Sequence, residues 1–314
     1  MRKIVSIVIC CMFLLSVSLI PIIAINEETS KDNIAVSALE KDFETNVVEE
    51  KVYSTDFCGN ESVETINSWT DIKSDSITEV DSFGVASLFS ANNIATMGII
   101  GTDDRTEISN TRKFPYSAVV HIYVEFMHGK EAFEGTGFLV ADNIVVTSAH
   151  LLYKKEYDGW ATSVTVKPGR NGILSMPYGL AKAKKVAVST QWEETKDYNY
   201  DWGAIKTAHS IVGNPGKFSM TTVEDSWNIP AKIIGYPGEK EYKQYEMSDL
   251  AMTVGDYSLG YQIDTTAGQS GSPILNENNV AIGVHSRAGD GHNFGIRFTP
   301  NVLYYLNEFI EQND

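Results

Sequence analysis

The stretch 264-DTTAGQSGSP-273 sets Ser270 among Gly268, Gly271 and a second serine, and closes on Pro273. Small polar residues around glycine usually make a turn. The same pattern also suits a backbone bent so that one hydroxyl faces a carbonyl while neighbouring N–H groups point inward. In such a bend the N–H groups of Gly268 and Ser270 face the oxygen of a tetrahedral intermediate, and losing one such donor typically costs about 100- to 1000-fold in rate. Which reading holds depends on the rest of the chain. A reactive serine needs a base within reach and a buried carboxylate to orient that base.

Two other stretches offer those groups. In 144-IVVTSAH-150 a run of β-branched apolar residues leads to His150, a position from which a side chain can face a cleft while its backbone stays fixed. In 198-YNYDWGAIK-206, Asp201 stands between aromatics and leads into an apolar strand. A carboxylate there is buried, and burial of a charge is costly unless a partner meets it. A histidine is such a partner. Asp197, near Lys196, Glu194 and Glu193, reads as solvated and is the weaker candidate. The order is His150, Asp201, Ser270. The elbow G-x-S-x-G is absent because Ser272 occupies its last position, and enzymes with that elbow place serine first.

Around these motifs the chain has the texture of short strands. Apolar runs at 118–126, 137–140, 144–147, 163–166, 233–236, 274–275 and 280–284 alternate with turn signals at 168–172, 213–216 and 237–238. Many short strands at this spacing argue for an all-β barrel or sandwich rather than βαβ units. One helix is expected at the end. Thr299 can cap it, Pro300 suits its first position, and Val302, Leu306, Phe309 and Ile310 share one side.

The chain has 314 residues, 43% of them hydrophobic, enough for one large domain or two modest ones. Residues 1–25 read as a secretory signal peptide, with Arg2 and Lys3 before an uncharged run and Ala24 offering a cleavage position. The run is also long enough to be retained as an anchor. On either reading the protein leaves the cytosol, and the expectation is a secreted, extracellular protein with no stable membrane association once the signal is cut. Residues 26–97 carry thirteen acidic residues besides Glu27 and Glu28, against Lys31, Lys41, Lys51 and Lys73, and no proline. They read as a poorly packed acidic leader, either a linker or a removable pro-segment. The main domain then runs over 98–314.

The three cysteines are Cys10, Cys11 and Cys58, so no disulfide forms beyond residue 58 and the domain is held by its core. Neither CxxC nor HExxH occurs, nor any phosphate loop, haem site or EF-hand, and no metal or other cofactor is expected. The net charge of −16 argues against a nucleic-acid partner. His121, His128, His209 and His292 read as structural or surface groups, and Trp192, Tyr198, Tyr200 and Trp202 as a cover over the Asp201 region.

TSAH at 147–150, YDWGAI at 200–205 and GQSGSP at 268–273 together resemble the triad motifs of trypsin/chymotrypsin-like serine proteases. The stretches 100-IGTDDR-105, 168-PGRNG-172, 235-GYPGEK-240 and 283-GVHSRAG-289 narrow the resemblance to the bacterial glutamyl endopeptidases. It spans roughly residues 98–312. It implies two antiparallel six-stranded β-barrels with the cleft between them, and a monomer acting on protein or peptide substrates. Ser270 would be the nucleophile, His150 the base then acid, and Asp201 the group that fixes its tautomer. Cleavage would follow glutamate, less readily aspartate, with Thr265 and His285 receiving the substrate carboxylate.

His285 carries positive charge only when protonated, and its ordinary pKa near 6.5 leaves it mostly neutral at pH 8. The resemblance implies help from the α-amino group of the mature chain, whose start would be near Gly98 or Ile99. Gln269 stands where digestive relatives carry an aspartate that pairs with the new terminus, so that switch is not available here. Leu151 follows His150 where many relatives have cysteine. Arg287 reads as an exposed loop residue or as an addition to the acidic-substrate pocket. Two alternatives remain open: a trypsin-like protease of different specificity, and a catalytically silent protease fold that serves as a binding module.

Overall fold

A computed structural model describes residues 98–289 and 291–311, and the backbone of residues 52–56 and 61–64. The segment read as a signal peptide and most of the acidic leader lie outside the described residues. Two short strands fall within that leader, where composition suggested none: β1 (Val52–Asp56) and β2 (Glu61–Glu64).

The chain continues through β3 (Thr106–Glu107), β4 (Val119–Phe126), β5 (Glu131–Ala141), β6 (Ile144–Thr147), β7 (Tyr153–Lys154), β8 (Gly159–Trp160), β9 (Ser163–Pro168), β10 (Ala181–Ser189) and β11 (Gly203–Thr207). A short helix, α1 (Thr190–Thr195), lies between β10 and β11. The second half holds β12 (Ile229–Gly235), β13 (Tyr245–Val254), β14 (Ser258–Tyr261), β15 (Pro273–Leu275), β16 (Ala281–Ala288) and β17 (Asn293–Arg297). It ends in α2 (Pro300–Glu311).

Six of these strands form a closed antiparallel barrel in the order β11-β6-β5-β4-β9-β10, with β10 returning to β11. A second barrel runs β12-β15-β16-β17-β14-β13 and closes from β13 to β12. Each barrel carries an appendage. Strand β3 adds to β13, and the β1–β2 hairpin adds to β10, with Val52 opposite Ser189 and Asp56 opposite Lys185. Strands β7 and β8 pair only with each other. The architecture is the chymotrypsin-like double barrel expected from the sequence.

Alternation along the strands explains the two cores. On β12, Ile229, Ala231 and Ile233 face the interior of the second barrel, while Ile234 joins the apolar layer continuous with the first barrel. Successive side chains on a strand point to opposite faces, so one short strand serves both layers. The C-terminal helix seals that layer with Val302, Leu306 and Phe309, and Ile310 is half-buried beside them. Thr299 caps it as expected, its Oγ1 accepting from Val302 N at 3.2 Å.

Candidate active site

Strand register brings two of the candidate residues together. Strands β6 and β11 pair antiparallel with Thr147 opposite Gly203. His150 lies in the 3-10 turn Ala149–Leu151 just past β6, and Asp201 lies just ahead of β11. His150 Nδ1 is 2.7 Å from Asp201 Oδ2, and His150 N donates to Asp201 Oδ1 at 2.8 Å. A third donor completes the carboxylate: Ser286 Oγ, from β16 in the other barrel, at 2.6 Å from Oδ2. Asp201 has no exposed surface. Three donors to one buried carboxylate offset the cost of taking it out of water. They also hold the imidazole with its proton on Nδ1, leaving Nε2 as the basic nitrogen. Sequence reading missed Ser286. Its signal was a hydroxyl directly after His285 in 283-GVHSR-287.

The stretch around Ser270 is a loop, not a strand. Gly268 and Gly271 have φ of +95° and +86°. A side chain at Gly268 would strike the Tyr236 carbonyl and Gly238, and one at Gly271 would strike the Thr136 carbonyl and Thr147. Only glycine fits both positions. Within the loop, Gln269 N donates to Thr266 O, Gly271 N to His285 O and Ser272 N to Gln269 O. The N–H groups of Gly268 and Ser270 have no protein acceptor among the described residues. These are the two donors expected to face an oxyanion. The Ser270 hydroxyl makes no hydrogen bond to His150, and such contacts often tighten only with substrate bound.

Two residues far away in sequence hold the loop. Thr136, on β5 of the first barrel, donates from N to Ser270 O (2.9 Å) and from Oγ1 to Gly268 O (2.8 Å). Arg105 reaches in from the segment before β3, its side chain 1% exposed. Its Nη1 donates to Gln269 Oε1 at 2.6 Å and Thr266 Oγ1 at 2.8 Å. The rest of the guanidinium engages Asp103 and Glu239, with Nη2 to Glu239 Oε1 at 2.7 Å. Burial works against the Arg105 charge, and these carboxylates outweigh it and raise its pKa. In return the Arg105 hydrogen bonds hold the Asp103 carboxyl well below the usual range. An internal cation therefore grips Gln269, the residue next to Ser270.

The candidate pocket residues are both buried, Thr265 at 1% and His285 at 3% exposure. Tyr261 Oη lies 2.7 Å from His285 Nδ1. Burial, followed by the neighbouring His150 and Arg287 charges, pushes His285 down to about 3, against a smaller opposing effect of the Phe294 backbone. His285 is thus a neutral ring and contributes dipoles rather than charge. Gly98 abuts the same place. Its carbonyl accepts from Thr265 N (3.1 Å) and Asn293 Nδ2 (2.6 Å). Ile100 N and Asp104 N donate to the two oxygens of buried Asp264.

Residues 105–310 match the trypsin family profile. The chain belongs to the trypsin family. A Bacillus licheniformis glutamyl endopeptidase is 33% identical over 218 residues, covering 65% of this chain and 66% of that protein. A Bacillus subtilis protein named as an extracellular metalloprotease is 35% identical over 230 residues, covering 69% of this chain and 73% of its own length. Among solved structures, a Glu endopeptidase in complex with MPD aligns over 69% of this chain and all of its own, with 29% identity and a TM-score of 0.62. The protease Anisep from Arthrobacter nicotinovorans shares the fold at 17% identity and a TM-score of 0.55. This chain is a trypsin-like serine endopeptidase similar to the bacterial glutamyl endopeptidases. Among its described residues, no group of three or more His, Cys, Asp and Glu side chains is arranged to hold a metal ion.

The structure corrects one reading of this protease's sequence and adds to another. Trp192 and Tyr198, read as part of a cover over the Asp201 region, also stand beside His150. They line a cavity next to His150, with the Trp192 and His150 ring centres 6.3 Å apart. Arg287 is not an exposed loop residue. It lies on β16, half-buried, with its guanidinium 4.9 Å from the Tyr198 ring centre and 5.1 Å from that of Phe294. It lines the cavity beside His150.

Proposed function

We propose that this protein is a secreted endopeptidase that hydrolyses peptide bonds after glutamate, less readily aspartate, and is made as a precursor. Ser270 Oγ attacks the carbonyl while His150 Nε2 takes its proton. The same imidazole then gives that proton to the leaving amine, and a water repeats the cycle on the acyl-enzyme. Asp201 keeps the tautomer and stabilises the imidazolium, and Ser286 steadies Asp201. The N–H groups of Gly268 and Ser270 bind the oxyanion. The observation that carries this reading is the buried Asp201 carboxylate with His150 Nδ1 at 2.7 Å, on the same cleft as two unspent loop donors.

Glutamate specificity draws on Thr265, His285 and a new amino terminus at Gly98 or Ile99. A neutral His285 leaves the charge of a bound carboxylate to be met elsewhere. Gly98 is anchored to Thr265 and Asn293, and the buried Asn293 Oδ1 beside it has no donor, which suits an ammonium. Removing the leader then supplies the pocket with its cation. The test uses secreted protein beginning at residue 98 or 99 and a peptide with one glutamate. Cleavage after that glutamate, loss of it in Ser270→Ala, and indifference to EDTA are expected. Equal cleavage by Ser270→Ala sinks the nucleophile assignment, and cuts spread over many residue types sink the specificity.

A further inference from the structure

A cavity of about 260 Å³ adjoins His150, walled by Trp192 and Tyr198 and ringed by Lys154, Lys196 and Arg287. Three cations around one cavity are out of keeping with a chain of net charge −16. Lys196 is accounted for by Glu156, 2.7 Å away and also on the wall. The other two make no ion pair among the described residues, and Glu156 and Asp201 act on Lys154 only at longer range. Lys154 Nζ sits 4.7 Å from the Phe133 ring centre, with no ion pair, and burial lowers its pKa. Arg287 rests on Tyr198 and Phe294, and its Nη1 is buried without any acceptor. The buried carboxylate of Asp201 is already filled by His150 and Ser286.

A buried guanidinium N–H without an acceptor is costly, and a second under-compensated cation beside it makes the cavity a site for an anion. The aromatic walls suit the methylenes of an acidic side chain, and a planar carboxylate suits the guanidinium. The cavity is lined by the catalytic histidine itself. A substrate residue entering it must therefore be close to the scissile bond, since each residue spans at most about 3.6 Å of extended chain.

We propose that this cavity is a second acidic subsite, in which Arg287, supported by Lys154, binds the carboxylate of an Asp or Glu within about three residues of the cleaved glutamate. The preferred substrates are then acidic clusters rather than isolated glutamates. This rests on the catalytic reading of Ser270 and His150, and the experiment separates the two. Peptides with one glutamate at the cut are compared with peptides carrying a second Glu, or isosteric Gln, at each of three positions on either side.

Wild-type enzyme is expected to favour Glu over Gln at one of these positions by about tenfold or more in kcat/KM, the scale of one charge-assisted hydrogen bond. The preference is expected to shrink in 1 M salt, which screens charge. Arg287→Gln brings the ratio near unity, and Arg287→Lys keeps part of it. Equal rates for Glu and Gln at every position overturn the proposal, as does a preference that survives Arg287→Gln or favours apolar residues. Failure to cleave even the single-glutamate peptide would fail the catalytic reading instead.

Discussion

At one end of the catalytic cleft, Asp201 is fully buried and accepts from His150 N, His150 Nδ1 and Ser286 Oγ. At the other end, the loop around Ser270 leaves the N–H groups of Gly268 and Ser270 without acceptors, although the residues flanking them are bonded and clamped. On the proposed mechanism, the first region holds a fixed charge that is present before and after each turnover. The second receives a charge that exists only while the carbonyl is tetrahedral. Satisfying its donors in the resting state would weaken their preference for the transition state. The proposed mechanism thus has hydrogen bonds saturated where orientation matters and left open where charge develops.

Breaking the saturated end has the largest expected effect. Asp201→Asn keeps the size of the side chain but favours the wrong histidine tautomer, and kcat should fall about 10⁴-fold with KM little changed. Recovery of the rate at high pH, where hydroxide can stand in for the base, would sharpen the assignment. A loss of less than about tenfold would show that Asp201 only packs.

Loosening the open end comes next. Arg105→Met removes the grip on Gln269 and Thr266, leaves Glu239 without its cation and leaves Asp103 with Lys240 alone. A fall in kcat of about 10- to 100-fold is expected, larger than any change in KM, together with slower fluorophosphonate labelling of Ser270. Arg105→Lys should recover only part, because an ammonium cannot bond four partners in one plane. An unchanged kcat with a lower melting temperature would make Arg105 a stability residue alone.

The smallest effect concerns pH. His285 and His121 are both buried, and burial pushes them down to about 3 and about 4 from 6.5. Between those values and about 6.5 the unfolded chain binds more protons than the folded one. Stability then drops as pH falls through this window and is level above it. The loss is on the order of a few kcal/mol, read from urea unfolding at pH 7.5 and 4.5. Replacing His285 by Gln should flatten part of the slope, and an unaltered slope would exclude it as a source.

The saturated end was far more legible in the sequence than the clamps on the open end. His150 and Asp201 each abut an apolar strand, so local pattern carried their meaning, and the turn signals marked the strands of both barrels. Ser270 was legible because two glycines flank it. Arg105 and Thr136 were not, because their contacts span 164 and 132 residues, Thr136 reaching across from the other barrel and Arg105 from a segment that joins the second barrel only through β3. A lone arginine after two aspartates looks like any solvated charge until the fold buries it. Strands β1 and β2 escaped for the opposite reason: their acidic surroundings hid a backbone pairing that any extended segment can supply to β10.

Gln269 and its Arg105 partner bear on the safety of the cell that makes this enzyme. Their clamp is closed in the full-length chain, so on the proposed maturation the loop around Ser270 is finished before the leader is removed. A protease assembled this early cannot rely on a misshapen catalytic centre to stay harmless. On that proposal, protection of the producing cell falls to a pocket that still lacks its amino terminus and to the timing of export.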